Sequence, residues 1–297
     1  QRISGLAALQ SLLGSENIGF DSCGGFEIFR SEDNTLFDSC VNHLDVLNQN
    51  LHDRFGLRNT YAISDELIKK NGFKGVDHII KNRHEGSIDT GRMMCSLIHK
   101  AQSLGIQILN GLDVREIVQL NSSAEVHLEN ELTIRASNIH VATNGFAKKL
   151  LPELDVRPAR AQVLITSEIK DLKLKGTFHM NEGFYYFRNI DNRVLLGGGR
   201  QLAFEEETSI ELNTTELIQE DLDRLLKEFI LPSTNYEIEH RWAGVMGVGI
   251  TKETFVKRIS ENISCAVRLG GMGVAIGTNI GKRSAALIGK NKNGDQS

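Results

Sequence analysis

The chain of 297 residues has only three prolines, Pro152, Pro158 and Pro232, and no linker rich in Ser, Gly or Pro, so no clean boundary separates sequential domains. Any two domains must share the chain by crossing back and forth. Cysteine is equally sparse. Cys23, Cys40, Cys95 and Cys265 are far apart and form no C-x-x-C pair, so neither a disulfide framework nor a zinc site is suggested, and reduced thiols in a cytoplasm are the simplest expectation. No apolar run approaches the roughly eighteen residues that a membrane span requires, so a soluble protein is expected. The formal net charge is -4, with basic residues spread among acidic ones, and no stripe of Lys and Arg offers a grip on nucleic acid. The nine histidines show no H-E-x-x-H and no paired ligand spacing, so no metal is expected. No Ser or Cys lies in a G-x-S-x-G elbow, which removes covalent hydrolase chemistry. An initiator Met is also lacking: Gln1-Arg2 runs straight into an amphipathic helix over residues 3–13, and the first residue here is not expected to be the first of the gene product's fold.

What is present is a regular alternation of elements. After that helix come a β-rich run over 24–30 and a helix over 35–55 with apolar Leu36, Val41, Leu44, Val46 and Leu47. From Glu85 the rhythm is βαβ-like. Asp89 or Thr90 caps a helix over 93–104, Gly105 ends it, and 106–109 reads as a short buried strand. Residues 124–128 and 132–136 alternate like a hairpin, and 139–142 is a buried strand that empties into Thr143-Asn144-Gly145. Strands are then expected at 162–166, 183–188, 194–197 and 236–245, with a helix at 215–229 between them. A strand at 264–269, a glycine-rich turn and a helix at 277–288 close the pattern. Alternating βα units at both ends of a long antiparallel middle predict an α/β nucleotide-binding domain interrupted by an α+β domain.

Three segments carry chemistry. Leu269-Gly270-Gly271-Met272-Gly273-Val274-Ala275-Ile276-Gly277 takes a strand end through glycines into a helix, where bare backbone and a positive helix start suit a flat, anionic ligand. A purely structural turn explains the pattern equally well, because the spacing is not G-x-G-x-x-G. His140-Val141-Ala142-Thr143-Asn144-Gly145-Phe146 empties at the carboxyl end of a strand, where open sheets bind ligands, although an ordinary turn is the commoner meaning. Tyr185 and Tyr186, in Gly183-Phe184-Tyr185-Tyr186-Phe187-Arg188, could orient a small polar substrate; such aromatics are more often strand core.

The order of these segments resembles the FAD-dependent oxidases that include D-amino-acid, glycine and sarcosine oxidases. Glu85-Gly86-Ser87-Ile88-Asp89 is similar to that family's G-x-[IV]-[DN]-P segment, with Thr90 in place of Pro, and Asp113-Val114 to the point where a Val backbone meets the adenine. Val141 to Phe146 resembles V-x-A-T-[GN], Arg157-Pro158-Ala159-Arg160-Ala161-Gln162 resembles R-P-x-R-G-Q, and Val194 to Arg200 the G-G-x-x strand. The turn at Gly270 to Gly277 resembles the final flavin-cradling loop. The resemblance implies FAD, a Rossmann-like domain interleaved with an antiparallel-sheet substrate domain, and hydride transfer from a C–N bond of a small amine or amino acid. It places the cofactor at Val114, Ala142, Thr143, Asn144, Gly145, Gly270, Gly271, Met272, Gly273, Val274, Ala275 and Ile276. The substrate falls at Tyr186, Met246 and Met272, with Tyr185 or Tyr186 orienting it. The implied division assigns 1–76 and 161–255 to the substrate domain, and 77–160 and 256–297 to the FAD domain.

Two departures accompany it. The family's opening βαβ unit with G-x-G-x-x-G does not precede Gln1, so tight FAD binding by these residues alone is not expected. In Trp242-Ala243-Gly244-Val245-Met246, similar to W-x-G-[LI]-R-P, Met246 stands where an Arg clamps the substrate carboxylate. Competing expectations are a non-catalytic nucleotide-fold protein, and an amine oxidoreductase acting on a modified macromolecule such as tRNA. The acidic balance counts against the latter.

Overall fold

The structure, a computed structural model, describes residues 1–289. In chain order the first half contains α1 (Arg2–Leu13), β1 (Gly25–Phe29), α2 (Asn34–Phe55), β2 (Tyr61–Ile63), α3 (Glu66–Asn71), β3 (His78–Asn82), α4 (Thr90–Ser103), β4 (Val114–Gln119), β5 (Ala124–Leu128), β6 (Thr133–Ala136) and β7 (Ile139–Val141). The second half adds β8 (Arg157–Thr166), β9 (Thr177–Met180), β10 (Tyr185–Ile190), β11 (Arg193–Gly198), α5 (Glu216–Leu225), β12 (Ile238–Val248), β13 (Phe255–Arg258), β14 (Ile263–Val267) and α6 (Gly273–Gly289).

Eight strands form one sheet in the order β12-β8-β11-β10-β9-β1-β3-β2, antiparallel except where β1 runs parallel to β9. One face is closed by α5 and the turn after it. Phe178 stacks between Phe26 and Phe187, with Phe73 edge-on, over Leu164, Leu196, Ile218 and Leu222. A smaller layer pairs β14 parallel with β7 and antiparallel with β13, and α6 packs against it. Strands β4, β5 and β6 form a third sheet beside β7. The result is a mixed α/β fold with one large antiparallel-rich sheet, as the alternation of elements implies.

Local chemistry explains the boundaries. Asp89 caps α4, its Oδ1 accepting from the Arg92 N–H at 2.9 Å. Gly56, with φ of 69°, ends α2 in the left-handed conformation. Two expectations are corrected. Residues 106–109 form no strand: Ile106, Ile108 and Leu109 are exposed, and among the described residues no strand lies beside them to take up their backbone groups. Helix α6 begins at Gly273 rather than 277, because Gly273 already has right-handed dihedrals (φ -52°, ψ -41°) and the turn over Gly270–Met272 feeds directly into it.

Candidate cofactor and substrate site

Three strand ends meet at one place. Beyond β7, Asn144 adopts a φ of 45°, which Asn tolerates better than most residues, and its Oδ1 accepts from the Leu269 N–H at 3.0 Å. That bond ties the loop after β7 to the turn after β14. The end of β12 closes on both. A Cβ on Gly247 would lie 2.7 Å from the Asn144 Oδ1, and one on Gly145 would lie 2.7 Å from the Met246 carbonyl oxygen. Glycine is required at both positions by close backbone approach.

Beneath this junction Arg268 is buried, with a φ of 65°. Its Nε donates to the Glu253 carbonyl at 2.6 Å, its Nη1 to Asp155 Oδ2 at 2.8 Å, and its Nη2 to Thr251 Oγ1 at 2.9 Å, while the guanidinium lies 3.8 Å from the centre of the Phe255 ring. The donors of one side chain hold the segments around 155, 251 and 253 under the turn. No local motif marks Arg268, and the sequence reading missed it.

The turn itself is bare. Nothing lies within 4 Å of a Cβ placed on Gly270 or Gly277, the nearest atom to one on Gly271 is Met246 Sδ at 3.7 Å, and Gly273 has only Leu269 at that distance. Gly271 and Val274 are exposed, as are Ala142 and Thr143 across the junction; Met272 is half-buried. Uncovered backbone at the start of a helix fits a flat group that carries negative charge; of the N–H groups there, that of Met272 donates to the Leu269 carbonyl at 3.3 Å. The residues present therefore fit a flavin. Two members of the expected set offer backbone only: Ile276 is buried against β14, and the Ala275 carbonyl is covered by α1, where a Cβ on Gly5 would collide with it. Val114 opens β4 opposite Leu128, and none of the bonds or close approaches at the junction involves it.

The large sheet divides the two tyrosines, because neighbours in a strand point to opposite faces. Tyr185 points into the packed core, donates from its hydroxyl to Asp221 Oδ2 at 2.5 Å, and has its pKa raised first by burial and then by that bond. Tyr185 as a substrate-orienting residue is thereby corrected: it anchors α5. Tyr186 lies on the other face, with its pKa raised by burial. Cross-strand pairing places it in one row with His179 and Glu27 on one side, and with Gly197, Val163 and Trp242 on the other. Met246 is on this face too, four residues along β12 from Trp242, beside the Gly271 turn. Arg188, two residues beyond Tyr186, donates to the Ile88 carbonyl at 2.7 Å and pins the approach to α4 against the sheet.

Glu27 is the other residue that the sequence reading missed. Its carboxyl is pushed up to about 7, first by burial and then by the charges of Glu85, Asp33 and Glu182. Glu85 lies over Gly25, where any Cβ would collide with its carboxylate, and it accepts from Asn82 Nδ2 at 2.8 Å. The alternation of β1 alone could have flagged an acid among Phe26, Ile28 and Phe29, but not the face it looks onto.

A parallel βα layer whose glycine-rich helix start adjoins the β12 end of one face of a large antiparallel-rich sheet is the architecture of a flavin-dependent oxidoreductase. The chain belongs to the family described as FAD dependent oxidoreductase, whose model matches residues 3–287. Among curated proteins it is similar to the bifunctional protein ThiO/ThiG of a Synechocystis species, 32% identical over 80 residues, covering 27% of this chain and 12% of that one. It is also similar to the probable oxidoreductase OrdL of Rhizobium meliloti, 22% identical over 234 residues, covering 76% and 53%. The chain thus spans about half or less of the curated relatives it matches. A solved glycine oxidase from Bacillus cereus shares the fold with a TM-score of 0.76 at 16% identity, over 96% of this chain and 78% of that one. FAD is the family's cofactor. Among the described residues no group of His, Cys, Asp and Glu could hold a metal ion, and no helix is long and apolar enough to cross a membrane.

Proposed function

We propose that the protein oxidises a C–N bond of a small amine or amino acid. The observation that carries this reading is the bare Gly270–Met272 turn, which shares its surroundings with a sheet face bearing Met246 and Tyr186. A bound flavin would supply the hydride acceptor for the carbon of that bond, the nitrogen lone pair forming the imine as the hydride leaves. The chain's own tasks are then positional. Backbone N–H groups from Gly271 to Ala275 favour the negative charge that accompanies reduction. Tyr186 orients the substrate on the sheet side, and Met246 with Trp242 supplies an apolar wall. The large sheet serves as the substrate domain and the β7–β14 layer as the cofactor domain, with boundaries near 76, 160 and 255.

Met246 cannot make the paired, charged hydrogen bonds by which Arg holds a carboxylate, and this favours an amine over a simple amino acid. The test is the visible spectrum of the natural full-length protein. Flavin bands that bleach anaerobically with secondary amines are expected, and a colourless protein that ignores added FAD would sink the proposal.

A further inference from the structure

Glu27 stands at the middle of β1 on the face that carries Tyr186 and Met246, two strands from Tyr186 through His179. Strand spacing puts about 10 Å between the Glu27 and Tyr186 backbones. The carboxyl makes no hydrogen bond or ion pair with any described residue, and every charge that acts on it is negative: Glu85 laid over Gly25, Asp33 before α2, and Glu182 in the turn between β9 and β10. The nearby cations are engaged elsewhere. Arg30 pairs with Glu32 at 2.7 Å, Lys81 lies over the Phe26 ring on the opposite face, and Arg188 donates to the Ile88 carbonyl. Partial burial makes an unmatched carboxylate charge costly, so this face is complementary to a positive group that no described residue supplies. With Met246 near the end of β12, that position offers no charged donor to an α-carboxylate, and the Arg188 guanidinium on this face is tied to the Ile88 carbonyl; the two features agree in sign.

We infer that Glu27 recognises a second, cationic group of the substrate, so that the substrate class is an amine bearing a distal ammonium or guanidinium rather than a free α-carboxylate. This rests on the amine-oxidation reading for the reacting end of the molecule. An extended amine with its reacting carbon near Tyr186 places its far end over His179 and Glu27. There a charge-assisted hydrogen bond to the carboxylate forms in a setting partly shielded from water.

Calorimetric titration of the flavin-loaded, full-length protein with cadaverine and with pentylamine tests this, since the two probes differ in the distal ammonium. Cadaverine is expected to bind at least ~10-fold more tightly to the unaltered protein, with the ratio falling to about 1 in Glu27→Gln and partly returning in Glu27→Asp. An unaltered protein without the preference, or a Glu27→Gln variant that keeps it, overturns the assignment. If Glu27→Gln loses its flavin, the unaltered protein and Glu27→Asp decide by the same ratios. Amine oxidation is read separately: bleaching by amines without a Glu27-dependent preference removes only the role of Glu27. A Glu27-dependent preference without bleaching keeps the recognition site and removes the redox reading.

Discussion

Single residues differ in how far their surroundings alter their chemistry, and Glu27 is the clearest case. Its carboxyl ionises near 7 in the folded chain against an ordinary value of 4.5. The folded state therefore holds the proton more tightly than the unfolded state. That contribution to stability is complete below about 4.5 and is lost as pH rises through 7. The groups facing Glu27 are Glu85, Asp33 and Glu182, with Cys40 from α2 and His179 from β9, and the three acids act in the same direction as burial. A shift of this size corresponds at most to about 3 kcal/mol, and to less for a group that water partly reaches. Glu27→Gln is expected to leave stability unchanged near pH 4.5 and to raise it by ~1–2 kcal/mol at pH 8, measured as urea midpoints. Equal shifts at both pH values would show that Glu27 is not strained by its charge.

At the level of elements, α6 and its turn must be bare on one side and tightly packed on the other, and two glycines separate these demands. Gly5 of α1 crosses α6 so closely that any Cβ meets the Ala275 carbonyl and comes within 3.2 Å of Ile276 Cα. Gly5→Val should force the helices apart at a cost of ~1–3 kcal/mol in urea unfolding. Gly273→Val meets only Leu269 atoms at 3.7 Å or beyond, so it should cost under about 1 kcal/mol yet exclude the flavin. Flavin absorbance per mole of protein reads the second effect, and undiminished content would remove the turn from the site. Much of this was legible in advance. The glycine run marks a turn whose backbone is left bare, and Asn144-Gly145 marks the end of β7. Less legible was 106–109, whose apolar residues look like a buried strand but have no neighbouring strand among the described residues.

For the molecule as a whole, the large sheet draws its strands from residues 25–82, 157–198 and 238–248, so the face of the candidate site is made by contacts between distant segments. Phe178, buried between Phe26 and Phe187, links the first two of these stretches. Phe178→Ala should lower stability by ~3–5 kcal/mol in urea unfolding, a loss well above that of a surface change. A smaller loss, under about 1 kcal/mol, would mean that the stack is incidental to the sheet.

The amino-acid sequence alone determined the class of fold, the order of the motifs and the glycine positions, because these depend on local periodicity, on turn chemistry and on spacing along the chain. Tertiary structure decided the rest. It set Tyr185 and Tyr186 on opposite faces of the sheet, put Arg268 under the junction, and brought Glu27 into one row with His179 and Tyr186. Strand register alone fixes which side chains share a face and what charges they meet there, and register is settled only when the whole sheet closes over its core.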